Sequence, residues 1–241
     1  MKKVNHLLIL IFSSIIACSG AKENVAPNEP TDVAVQESQD ENQNVQVAGL
    51  WGKIDDSIVE ETFQQHFNAF LECYQYEALD VLEEIEGELS VYLIVGPDGG
   101  VTDEIYFEDG TLGSEATQSC VISKIKRIRF QEPIGGNNAR VRYSFPFEEP
   151  YGHPAPIDWS EDEQFLKTIE EHQEEIDACL GGGTGVKFVI YVGRGGRVEA
   201  AGGTSESQAG YEAGRCIAQA AKSWKFKNPG KRRPAKATIY F

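Results

Sequence analysis

The sequence predicts an α+β protein of two tandem small domains, each running helix, strand, strand, helix, strand, with a three-stranded antiparallel sheet packed on two helices. Three observations carry this expectation. Residues 89–145 can be laid over residues 186–241, with Val101 on Val198, Cys120 on Cys216, Ile128 on Trp224, Phe130 on Phe226, Tyr143 on Ile239 and Phe145 on Phe241. The apolar pattern changes from helical to alternating period twice, in the same order each time. Upstream, Cys73 and Cys179 hold matching places. Self-similarity of this kind marks two like folding units rather than one enzyme with a unique cleft.

The first helix of copy one opens with Asp55, Asp56 and Ser57, where Ser57 and Glu60 have capping-box spacing, and continues through Phe63, Phe67, Phe70 and Tyr74 at helical intervals. Its counterpart starts with Ser160 and Glu163 and carries Phe165, Leu166, Ile169 and Ile176. A hairpin follows in each copy. Residues 89–95 turn through 96–100 and return from Val101 to Phe107, while residues 186–192 turn through Gly193 to Arg197 and return from Val198. Runs of β-branched and aromatic residues around a Gly-rich turn favour this pairing. The second helices lie near residues 114–128 and 207–224. The last strands alternate as Val141, Tyr143, Phe145 and as Ala237, Ile239, Phe241.

The N-terminus has a basic start at Lys2 and Lys3, an apolar stretch over 7–16, and a small residue before Cys18. This is the layout of a secretory signal, and about ten apolar residues are too few to span a bilayer. The ending Ile15-Ile16-Ala17-Cys18 resembles the lipobox of bacterial lipoproteins, which implies cleavage before Cys18 and its acylation. Acyl chains anchor a protein without a membrane helix. With Ser19 rather than aspartate after the cysteine, the same resemblance implies the outer membrane, on its periplasmic side. The expected organisation is a signal peptide over 1–17, a lipidated cysteine with a disordered acidic tether over 18–50, a first domain over 51–148, a linker over 149–159, and a second domain over 160–241. Residues 19–47 are too polar to bury a core, which is why they read as a tether.

An envelope location is oxidising, so the four remaining cysteines are expected as disulfides. Four cysteines allow three pairings. The repeat selects Cys73 with Cys120 and Cys179 with Cys216, each bond inside one copy, and the absence of C-x-x-C spacing favours staples over redox chemistry.

The chain carries a formal net charge of −16. Residues 51–150 hold 7 basic against 20 acidic side chains, whereas 151–241 hold 12 of each. Such acidity argues against a nucleic-acid partner. His66 and His172 each stand seven residues before a cysteine, but neither copy offers the further ligands a closed metal site needs. The glycine runs at 181–185 and 193–196 lack the lysine and strand-to-helix setting of a phosphate loop. No serine elbow, HExxH pattern or other catalytic motif is present, so the expectation is no enzyme, no cofactor and no metal.

The helix ending near Cys73, Gly99-Gly100-Val101, Cys120-Val121, residues 128–130 (Ile-Arg-Phe), Gly135-Gly136 and the closing 141–147 resemble the AgmX/PglI C-terminal domain, a relative of the TonB C-terminal domain. The second copy matches through Cys179, Gly195-Gly196, Cys216-Ile217, residues 224–226 and residues 239–241. This resemblance implies a binding module that engages another envelope protein by adding an extended peptide to an open sheet edge. The edge it implies is formed by Val141, Tyr143 and Phe145 in one copy and by Ala237, Ile239 and Phe241 in the other. The alternative expectation is a structural spacer or oligomer subunit, followed by a metal- or ligand-binding protein.

Overall fold

Phe63, Phe70, Phe130, Phe145 and Tyr143 set the centre of the first repeat. Their rings meet edge to face or stacked, with centroids 4.3 to 6.3 Å apart around Phe63. Aromatic clusters of this type add to the burial of their area. The computed structural model describes residues 50–230 and 232–241. Cys18, the signal segment and most of the tether lie outside the described residues.

In the first repeat, α1 (Asp56–Tyr74) continues into a π-helical turn (Gln75–Leu79), then β1 (Gly87–Val95), β2 (Val101–Gly110), α2 (Glu115–Ile125) and β3 (Ala139–Phe147). The second runs β4 (Ile157–Asp158), α3 (Glu163–Glu171), α4 (Gln173–Leu180), β5 (Lys187–Val192), β6 (Val198–Thr204), α5 (Gln208–Ala221) and β7 (Ala235–Tyr240). The molecule is α+β, with one antiparallel sheet ordered β2-β1-β3 and one mixed sheet ordered β4-β7-β5-β6.

Several local expectations change. Neither capping box forms. Asp55 precedes α1 without a side-chain cap, and Asp162 caps α3 by accepting from Gln164 and Phe165. Ser160 instead bonds Asp158 and accepts from the Thr238 amide. The first helix of the second repeat breaks at His172, whose backbone leaves helical geometry (φ −105°, ψ 12°). The second sheet has four strands, not three. Part of the 149–159 linker, the two residues that follow Pro156, pairs as β4 in parallel with β7. The second helices do start at the serines the sequence marks. Ser114 accepts from Thr117 N–H, and Ser207 from Gly210 N–H.

The described residues fold as one compact unit, so the two repeats pack against each other. In β5, Phe188 and Ile190 face the second repeat's own core, whereas Val189 and Tyr191 join the core of the first. A strand buried on both faces is continuously apolar, which is how 188–192 reads. Gly113 makes this approach feasible. Its φ is +65°, and a Cβ there would lie 2.5 Å from Val189 Cγ1. Polar links cross the same seam: Tyr191 Oη donates to Glu86 O at 3.1 Å, Tyr106 Oη to Glu206 O at 3.1 Å, and Arg194 pairs with Glu84 at 3.1 Å.

Each disulfide lies within its own repeat. Cys73–Cys120 ties α1 to α2 across a Cα separation of 5.7 Å, and Cys179–Cys216 ties α4 to α5 at 5.5 Å. These separations suit unforced bridges.

Candidate functional site

Two sheets have four edges, and an edge is open only where its outward N–H and C=O groups meet no neighbour. The β2 and β6 edges face each other at the seam, where the Ser205 amide donates to the Phe107 carbonyl at 3.0 Å. On the far side of the second sheet, β7 is covered by β4. Ile157 N–H donates to Pro234 O, Trp159 N–H to Lys236 O, and Thr238 N–H to Ser160 Oγ. That leaves β3.

The long β3 strand is covered at one end only. Gly52 donates to Asn138 O at 2.8 Å and bridges Ala139, while Lys53 and Ile134 exchange both backbone bonds. The Gly52 contact also fixes the alternation. Backbone groups of the even-numbered residues Arg140, Arg142, Ser144 and Pro146 point outward, and those of the odd-numbered residues point to β1. Pro146, which has no N–H, therefore takes nothing from the β1 ladder, the position proline tolerates in an edge strand.

This alternation redistributes the residues named from the sequence. Val141 and Phe145 are buried, and Tyr143 stacks on Phe63 with its hydroxyl reaching Glu60 at 3.2 Å. All three turn their hydrogen-bonding groups toward β1 and their side chains toward α1. Ala237 and Ile239 likewise pair with β5, and Phe241 exchanges backbone bonds with Val186 while its ring meets Phe188. The outward groups belong to the residues between them.

The open face beside the edge is built from charge and aromatic surface. The Arg140 guanidinium lies 3.8 Å over the Trp51 ring, and Arg142 lies over Tyr92 at 5.1 Å while bonding Glu108 at 2.8 Å. Both cation–π contacts hold the arginine planes beside the sheet. The Glu108 hydrogen bond holds the Arg142 guanidinium above its ordinary value, so the charge is permanent. Ser144 and Ser90 share a hydrogen bond at 2.7 Å across the ladder. An added strand would thus meet arginine and serine on one face and Tyr143 beneath α1 on the other.

The remaining sequence candidates fall elsewhere. His66 bonds the Thr62 carbonyl on the exposed side of α1. His172 stacks on Trp224, with centroids 4.6 Å apart, and bonds Glu175. Hydrogen bonds from Trp224 and His172 hold the Glu175 carboxyl below its ordinary range. The two histidines belong to different repeats, and among the described residues no group of three or more His, Cys, Asp or Glu is placed to hold a metal ion. Gly181 ends α4 in the left-handed region, and residues 193–196 form the β5–β6 turn. No described helix is long and apolar enough to cross a membrane.

Sequence reasoning missed Trp51 and Gly52 as the partial cover of β3. It also missed Pro146 as the marker of the outward register, although a proline inside an otherwise alternating strand carries that signal. Comparison with family models, curated proteins and solved structures finds no match.

Proposed function

We propose that this chain is a non-enzymatic envelope lipoprotein, held to the outer membrane through Cys18, that binds another envelope protein by strand addition along β3. One observation carries the reading: among the described residues β3 is a nine-residue edge strand whose outward backbone groups, from Arg142 through Pro146, have no backbone partner. Backbone hydrogen bonds supply affinity in this mode, and alternating side-chain positions supply selectivity.

The resemblance to AgmX/PglI and TonB C-terminal domains supports the same assignment. A photocrosslinking residue at Ser144 in the native bacterium tests it. The expected product is an adduct with a second envelope protein, abolished by Arg142→Pro, which removes an outward N–H without touching the β1 ladder. Adducts only with the protein itself would support an oligomer subunit instead, and no adduct would overturn the β3 assignment.

A further inference from the structure

Charge is unevenly distributed along the β3 edge. In the middle of the strand the open face is already satisfied, with Arg142 bonded to Glu108 at 2.8 Å and Ser144 sharing a hydrogen bond with Ser90 at 2.7 Å. The two ends differ. At the start, Arg140 is exposed and rests on the Trp51 ring at 3.8 Å, and among the described residues it has no ion pair. At the finish, Glu88 stands opposite Pro146 in the β1–β3 ladder, and Glu148 follows the last residue of β3.

Glu86, Glu88 and Glu148 are all exposed and border one groove with Pro146, Phe147 and Lys236. The ion pairs nearby go to other carboxylates: Glu108 with Arg142, Glu84 with Arg194 and Asp109 with Lys187. Among the described residues, Glu86, Glu88 and Glu148 are left without an ion pair. Lys236, the one cation lining this groove among the described residues, turns its amine to the Glu86 backbone carbonyl at 3.4 Å. Three carboxylates around one groove repel one another, and a cation brought from outside relieves them.

The register of an added strand converts this polarity into a preference. Every second side chain of that strand lies on the open face. Opposite residues there stand about 4.5 to 5.5 Å apart and diagonal ones about 7 to 8 Å, within reach of long side chains. A strand residue opposite Arg142 therefore reaches Arg140 diagonally, without displacing the Gly52 bridge at Ala139. One about 20 Å away, six residues along the strand, meets Glu88 and Glu148. Resting on the strand-addition reading, we infer that the partner segment is charge-polarised and antiparallel to β3. Its N-terminal end carries a lysine or arginine beside Glu88 and Glu148, and its C-terminal end an acidic residue beside Arg140. Between them the open face takes uncharged residues, because Arg142 and Ser144 already have partners. The antiparallel direction follows from the stabler ladder it gives.

Capped peptides titrated into the whole chain, followed by the Arg142 and Ser144 amide NMR shifts, test the assignment. Lys-Val-Thr-Val-Thr-Val-Glu should bind about fivefold more tightly at low salt than the same peptide with lysine at both ends or glutamate at both ends. The advantage should shrink at about 0.5 M salt. The reversed order, Glu-Val-Thr-Val-Thr-Val-Lys, should bind more weakly, because matching its charges requires parallel pairing. Arg140→Gln should remove the discrimination against the two-lysine peptide, and Glu88→Gln with Glu148→Gln that against the two-glutamate peptide. All three positions are exposed, so these variants keep the fold. Equal affinity for the four peptides, or variants that discriminate as wild type does, would overturn the polarity and leave strand addition standing. If no peptide moves the Arg142 and Ser144 amides up to about 5 mM, strand addition along β3 falls together with it.

Discussion

Phe63 has no exposed surface and touches four other rings, so its removal leaves a cavity at the point where α1 meets the sheet. Phe63→Ala should cost about 3 to 5 kcal/mol in urea unfolding. A cost under about 1 kcal/mol would show that the cluster is not the centre of the core. The cysteines separate by environment as well. Cys73 is 1% exposed, whereas Cys216 lies at the surface. A mild reductant should therefore open Cys179–Cys216 first, read by alkylation and peptide mapping, because thiol exchange requires access to a sulfur. Cys73→Ser should lower stability by about 3 to 4 kcal/mol under oxidising conditions, a difference that shrinks under strong reductant. Cysteine pairing was legible because the repeat itself selects it. The place of Val189 and Tyr191 in the first repeat's core was not, because it depends on which residues of the other repeat lie opposite, and local pattern carries no such information.

Among elements, β7 shows how a strand can be read correctly and its neighbourhood missed. Alternation over 235–240 marks the strand, but the linker with Pro154 and Pro156 reads as connection only, and two residues of it become β4. Two-residue pairings of this sort have no periodicity to detect. The hairpins and the serine caps of α2 and α5 were legible because turn and cap chemistry is local. The β7 environment also has a consequence for pH. Lys236 lies 5.1 Å from the Tyr191 ring centroid and 3.4 Å from the Glu86 carbonyl, and burial lowers its pKa from the ordinary 10.5. A lysine whose folded pKa is depressed binds fewer protons folded than unfolded, so stability rises with pH through the window below 10.5. Lys236→Met, which keeps the stem and removes the charge, should lack this contribution. Thermal melts of both proteins from neutral to alkaline pH should show wild type gaining on the variant as pH rises, and a constant gap would contradict the burial argument.

At the scale of the whole molecule, the two repeats share one compact unit instead of standing as separate domains. Strand β5 is buried on both faces because Val189 and Tyr191 enter the first repeat's core, and Gly113 allows the approach. Gly113→Ala should strain both the left-handed backbone and the Val189 contact, costing about 1 to 3 kcal/mol in calorimetric melts. The β2 and β6 edges meet at the seam, the two-residue β4 lies outside β7, and β3 is the long edge on which the functional reading rests. Amide hydrogen exchange in the dilute, isolated protein tests that most directly. The Arg142 and Ser144 amides should exchange fast while their neighbours Val141, Tyr143 and Phe145 stay protected by β1. Equal protection across 141–145 would mean that another segment already occupies the edge, and the account would be wrong.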